Sequence, residues 1–200
     1  MKKKIIVTVA LLMLSGQAFS RDGATSVLWS VGFPTSDFYD YIKEVGFGGV
    51  SVDSRTWVSR TMAIGFSLGW NTFNAKDVDP IKLDIGTVTG TQLRYLNSFP
   101  IMLTGHYYTD SGNRTKLYIG GQVGIAAIIQ RVDIGVIQLQ TSNWHPAIAP
   151  EIGADAPLGA TSLVFGVRYF YAFDSGTSVG GRADNTYSYA IVYIGLAFQH

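Results

Sequence analysis

The sequence predicts an all-β chain, an eight-stranded antiparallel up-and-down transmembrane β-barrel preceded by a cleavable signal peptide. Three observations carry that reading. Large apolar side chains recur at every second position over segments long enough to cross a bilayer as tilted strands, which takes roughly 9–11 residues. No run of 18 apolar residues follows the N-terminal segment, although hydrophobic residues make up 47% of the chain and charged ones only 14%. Short and long connections alternate along the chain. A closed barrel is the one non-helical structure that pairs every backbone N–H and C=O inside lipid.

The N-terminus comes first. Lys2, Lys3 and Lys4 precede a ten-residue apolar stretch, Ile5–Leu14, and then small residues around Ser20. That is the layout of a signal peptide over residues 1–20, with residues 21–200 as one barrel domain. As a helix, ten residues reach about 15 Å, half a hydrocarbon core. Without residues 1–20 the chain keeps 12 basic and 14 acidic side chains, a formal charge of −2 with no basic cluster, so no nucleic-acid partner is expected. There is no cysteine, hence neither disulfide framework nor thiolate metal site.

Strands follow from parity. Val27, Trp29, Val31 and Phe33 alternate with Ser30 and Gly32. Met62, Ile64, Phe66, Leu68 and Trp70 alternate with Ala63, Gly65, Ser67, Gly69 and Asn71. Leu117, Ile119, Val123, Ile125, Ala127 and Ile129 oppose Gly120, Gln122, Gly124 and Gln130. Leu163, Phe165, Val167, Tyr169, Tyr171 and Phe173 oppose Gly166 and Arg168. Ala190, Val192, Ile194, Leu196 and Phe198 oppose Tyr189, Tyr193, Gly195 and Gln199. The second face is small or polar, which suits a narrow lumen.

Turn chemistry separates the strands at Asp53-Ser54-Arg55, Asp110–Arg114 and Pro157–Ala160. Longer connections are predicted at Thr35–Glu44, Asn74–Gly90, Asp133–Trp144 and Asp174–Asn185. Seven connections make eight strands, with short turns in the periplasm and long loops outside. Aromatic girdles are expected at headgroup depth. Near the long-loop ends they comprise Phe38, Tyr39, Tyr41, Trp70, Phe73, Trp144, Tyr171, Phe173 and Tyr187. Near the short turns they comprise Trp57, Tyr107, Tyr118 and Phe198.

On Tyr95–Ile101, Leu117–Gly124, Val167-Arg168-Tyr169 and the closing Tyr193–Phe198, the whole mature chain resembles the eight-stranded outer-membrane barrel families, OmpA/OmpX-like and OmpW-like. The likeness is to the barrel alone, not to the peptidoglycan-binding domain of longer OmpA proteins. It implies residence in the outer membrane of a Gram-negative bacterium, a monomer, and contact with lipid, lipopolysaccharide and the barrel-assembly machinery. Such barrels usually end on the Phe that this machinery reads; here Gln199 and His200 follow Phe198, a departure at the assembly signal.

Polar residues of inward parity are the candidate site. Glu151 and Arg168, joined by Gln122 and Arg94, form either a gate or a structural network filling the lumen. The narrow interior favours the network. No catalytic residue is assigned. The resemblance extends to lipid A deacylases and palmitoyltransferases, which need Ser, His and an acid near the outer leaflet. His106 falls near a predicted periplasmic turn, His200 is terminal, and His145, beside Asn143 and Trp144, has no serine and carboxylate at motif spacing. Asp77, Asp79 and Asp84 lack the Gly and distal Glu of a calcium loop, so a solvated loop and no metal are expected. Arg60 can snorkel to headgroups. No cofactor is implied. The reading is a non-enzymatic barrel serving envelope integrity or surface contact through four loops. The alternatives are a narrow carrier of small apolar solutes (OmpW-like), a lipid A-modifying enzyme, and a soluble exported sandwich or lipocalin-like barrel.

Overall fold

The computed structural model describes residues 23–77, 81–83, 86–88, 92–109, 115–134, 137–173 and 186–200. The predicted leader 1–20, the turn Asp110–Arg114, Asp79 and Asp84 of the acidic loop, and the connection Asp174–Asn185 lie outside those residues.

Eight strands close a barrel: β1 (Gly23–Thr35), β2 (Gly46–Trp57), β3 (Met62–Asp77), β6 (Gln92–Tyr108), β7 (Lys116–Ile134), β8 (Ile137–Leu158), β9 (Thr161–Ala172) and β10 (Tyr187–Gln199). A short helix, α1 (Ser36–Tyr41), follows β1, and a small hairpin of β4 (Ile81–Leu83) and β5 (Gly86–Val88) stands between β3 and β6. Chain neighbours pair antiparallel around the wall, and β1 closes on β10 with Val27 opposite Leu196. Gly23 and His200 exchange backbone hydrogen bonds of 2.9 and 3.0 Å at the seam. All described turns between neighbouring strands, and both ends of the barrel chain, share one rim, the turn end; the connections that follow β1, β3, β7 and β9 share the other, the loop end.

Period-2 patterning decides which side chains face where. Val27, Trp29, Ile64, Leu103, Ile119 and Ile194 stand outward, forming an apolar band round the wall, whereas Ser26, Leu28, Ser30, Ser67 and Ala126 are buried in the lumen. Glycines make room for rings that cross inside. Gly32 faces Gly46 across β1 and β2, and a Cβ on either would lie 2.7 Å from the Phe73 ring. At the other end Gly153 faces Gly166, and Tyr118 and Tyr193 fold over that bare stretch of wall.

Several connections differ from expectation. Asp53-Ser54-Arg55 is no turn: it lies within β2, and the reversal comes at residues 58–61, where the amides of Val58 and Ser59 donate to the Met62 carbonyl at 3.0 and 3.2 Å. Alternation through Val50 and Val52 continues across the polar triplet and places Asp53 and Arg55 inside. The predicted loop Asp133–Trp144 is mostly strand, because β7 and β8 stay paired up to Ile134 opposite Ile137. Uncharged, β-prone residues from Gln138 to Thr141 suit an extended ladder. Thr35–Glu44 contains α1, and Asn74–Gly90 begins inside β3, which runs to Asp77. The turn at Pro157–Ala160 stands as expected, with Gly159 supplying φ +77°.

Candidate functional site

At the turn end the lumen holds a charged network contributed wholly by strands. Asp53 on β2 is fully buried, and the Ser67 hydroxyl across the ladder on β3 donates to it at 2.6 Å. Arg168 on β9 bridges two carboxylates, donating from Nη2 to Asp53 at 2.9 Å and from Nε to Glu151 at 2.7 Å. Glu151 sits directly opposite Arg168 in the β8–β9 register. Its other contacts are the Gln122 amide at 3.1 Å and the His106 Nε2 atom. Arg55 donates to the Tyr108 hydroxyl at 2.6 Å and lies 3.8 Å from Asp53. Two guanidinium groups thus face two carboxylates, a balance that a buried cluster needs if it is not to expel a charge into water.

Tyrosines seal this layer. The Arg55 and Arg168 guanidinium groups stand 5.0 and 5.1 Å from the ring centres of Tyr118 and Tyr193, whose hydroxyls meet at 2.7 Å. His106 reaches Glu151 because Gly120 stands opposite it on β7 and opposite Glu151 through β8; a Cβ there would lie 2.4 Å from the imidazole.

The loop end is closed differently. Phe38 of α1 drops into the lumen, 2% exposed, with its ring 5.0 Å from Phe73 and 6.0 Å from both Tyr187 and Tyr189. Phe170 stacks on Tyr189 at 4.7 Å. The Tyr189 hydroxyl donates to Ser98 at 3.0 Å, and Gln130 donates to the Tyr187 hydroxyl at 2.6 Å, so the polar tips of these rings are served. Arg94 donates to the Tyr41 carbonyl at 3.1 Å and stacks over the Tyr41 ring. Burial pushes the Tyr41 phenol up to about 12, against the opposing pull of Arg94. Between the two layers is a small cavity touching Asn71, Pro100, Gln122, Arg168 and Phe170, with room for about one water molecule.

Of the sequence candidates, the structure brings Glu151, Arg168 and Gln122 together and leaves Arg94 apart, at the loop end against α1. Asp53, Arg55, His106, Tyr108, Tyr118 and Tyr193 also belong to the cluster, although the sequence reading places none of them in it. Their parity was the available signal: outward Leu103 and Tyr107 put His106 inside, as Val52 does for Asp53. Among the expected girdle residues, Trp70, Tyr107, Trp144, Phe173 and Phe198 stand outward and exposed, and Tyr171 packs edge-on against Phe173. Phe73 and Tyr187 do not belong to a girdle. They share parity with Asn71 and with Tyr189, and both are buried in the lumen. Phe38, Tyr41 and Tyr118 also turn inward, Tyr39 remains exposed, and Trp57 packs half-buried on Tyr108.

His145 points inward, and its ring Nδ1–H donates to the Phe173 carbonyl at 2.9 Å. Phe173 donates its own amide to Pro146, which has no N–H to return. The imidazole therefore replaces a ladder bond. Among the described residues no three His, Asp or Glu side chains converge on a metal position.

No protein-family model and no curated protein matches the sequence. Solved structures do. Neisserial surface protein A superposes with a TM-score of 0.56 at 13% identity, covering 89% of this chain and 97% of that one. A major outer membrane protein from Thermus thermophilus gives 0.56 at 14% identity, covering 89% and 99%. Ail, the attachment invasion locus protein of Yersinia pestis, gives 0.52 at 9% identity, covering 91% and 100%. Identities this low speak for architecture alone, and with the closed antiparallel wall they make this chain an eight-stranded barrel of the outer-membrane fold.

Proposed function

We propose that the protein is a small, non-enzymatic outer-membrane barrel with a filled lumen, acting in envelope integrity or in surface contact through its loop end. The observation that carries this reading is the double closure: a balanced charge cluster at one end and an aromatic plug at the other. The outward apolar band, with Trp70 at mid-height and Trp144 toward the loop end, suits lipid and lipopolysaccharide, and the turn end would face the periplasm. Insertion would depend on the barrel-assembly machinery, and the closed wall suits a monomer. Surface roles are named for two of the similar proteins, the Neisserial surface protein and the Yersinia attachment locus protein.

Planar-bilayer recording tests the filled lumen. Neither the unaltered chain nor Phe38→Ala should give stable large single-channel steps, because the charge cluster still closes the turn end in the variant; such steps in the unaltered chain would sink the reading. A carrier for small apolar solutes is the second reading, favoured by the aromatic lining around Phe38. It requires Phe38→Ala to take up a small arene such as naphthalene, measured by titration calorimetry in detergent.

A further inference from the structure

Most of the wall is continuously laddered. Pairing runs unbroken between β6 and β7 from Gln92–Ile134 to Tyr108–Tyr118, between β7 and β8 from Lys116–Asp155 to Ile134–Ile137, and between β9 and β10 throughout. The β1–β2 ladder is bulged, shifting register between Ser30 and Gly32, and two other ladders lapse at mid-height without changing register. Between β3 and β6 pairing stops after Leu68–Ile101 and resumes at Asn71–Ser98. Between β8 and β9 it stops after Ile148–Tyr171 and resumes at Glu151–Arg168.

A proline stands in each gap with its backbone turned toward the failing neighbour. Tyr108 donates its amide to Thr61, so even-numbered residues of β6, Pro100 among them, face β3. Pro146 accepts from Phe173, so Pro150, four residues on, faces β9. Neither can donate, and a ladder bond is missing at each place. Behind the gaps packing is thin, since the small cavity touches both Gly69–Pro100 and Arg168–Phe170.

These gaps divide the barrel into a three-stranded panel, β6–β7–β8, and a five-stranded frame, β9–β10–β1–β2–β3. Most of the long lumen bonds span the two bodies, while Arg168 to Asp53 ties β9 to β2 within the frame. Tyr108 to Arg55, Ser98 to Tyr189, Tyr118 to Tyr193, Gln130 to Tyr187 and Glu151 to Arg168 each join a panel residue to a frame residue. We propose that β6–β7–β8 moves as one panel hinged at the two proline gaps, and that the lumen network is the clasp holding it against the frame. The proposal holds whether or not the lumen conducts, since it concerns only how the wall yields.

Amide hydrogen exchange on the full chain in lipid nanodiscs tests it. In the unaltered protein, amides at 69–71 and 169–170 should exchange about tenfold faster than those at 123–129; they keep their own ladder partners, the missing bonds being those the prolines cannot donate, so fast exchange there reads opening of the seam. Glu151→Gln weakens the clasp at the β8–β9 gap and touches neither β3 nor Pro100. It should raise exchange about fivefold further at both gaps, including the distant one, while 123–129 stays unchanged. A rise at the near gap alone, a uniform rise in every strand, or no change would overturn the panel. Pro100→Ala, which returns one N–H, provides a test free of the charge cluster: it should slow exchange at 69–71 and at 169–170 together. Slowing at 69–71 alone would equally overturn it.

Discussion

The two ends of the lumen are filled to a similar degree by opposite chemistry. At the turn end Asp53, Arg55, Glu151 and Arg168 are held by strands alone, each at a position set by ladder register. At the loop end the plug is Phe38, delivered by α1 from outside the wall, with Ser36 at φ +51° at its start and no side-chain cap from Thr35. A charge cluster fails when any partner is removed, whereas an aromatic cluster degrades by the area it loses. The turn end is therefore built by the strands alone, and the loop end is completed by one ring that the strands do not carry.

The comparison breaks most severely at Arg168. Arg168→Met strands both Asp53 and Glu151 without their shared guanidinium, a loss of about 3–5 kcal/mol. Urea unfolding in detergent, or the temperature at which the folded gel band is lost, reads it. The double variant Glu151→Met with Arg168→Met should cost less than the single one, because one of the two orphaned carboxylates is gone. A double variant as damaged as the single would mean that packing, not charge, dominates the layer.

Why this cluster was half hidden in the sequence is itself physical. The barrel was legible because alternation is dictated by the pleat, and it held in every strand read that way. Glu151, Arg168 and Gln122 were legible for the same reason. Asp53 and Arg55 are hidden because Asp-Ser-Arg also spells a turn, a local signal that competes with the parity of Val50 and Val52. Phe73 and Tyr187 lie near strand ends, where a girdle is expected, but their parity points inward. Which inward residues meet across the lumen depends on stagger around the wall, which no single strand records. Nothing in the periodicity announced that α1 would fold into the mouth.

Glycine substitutions sharpen the contrast at lower cost. In Gly120→Ala the new methyl would stand 2.4 Å from the His106 ring and 2.7 Å from the Gly105 carbonyl, so backbone as well as side chain must shift. A loss of about 1–3 kcal/mol is expected, with His106 pushed off Glu151. In Gly32→Ala the methyl meets only the far edge of the Phe73 ring, at 2.7 and 2.8 Å. That ring can follow Phe38 outward, and the loss should be smaller. Equal losses would show that the loop-end packing is as rigid as the network.

The smallest effect is expected at His145, where the two ends of the molecule are compared through one kind of residue. His106 is bound into the charge cluster; His145 serves a neutral carbonyl that Pro146 leaves without its ladder donor. His145→Phe keeps a ring against Tyr187, 5.1 Å away, and removes the donor. The cost should be about 1 kcal/mol, the worth of one hydrogen bond, seen as a modest shift in the unfolding midpoint. Mass spectrometry of lipid A from cells expressing the unaltered or the variant chain should give the same species, since a ring whose Nδ1–H is committed to the backbone has a structural task. A lipid A species that vanished with His145→Phe would instead assign the imidazole to chemistry and remove the non-enzymatic reading.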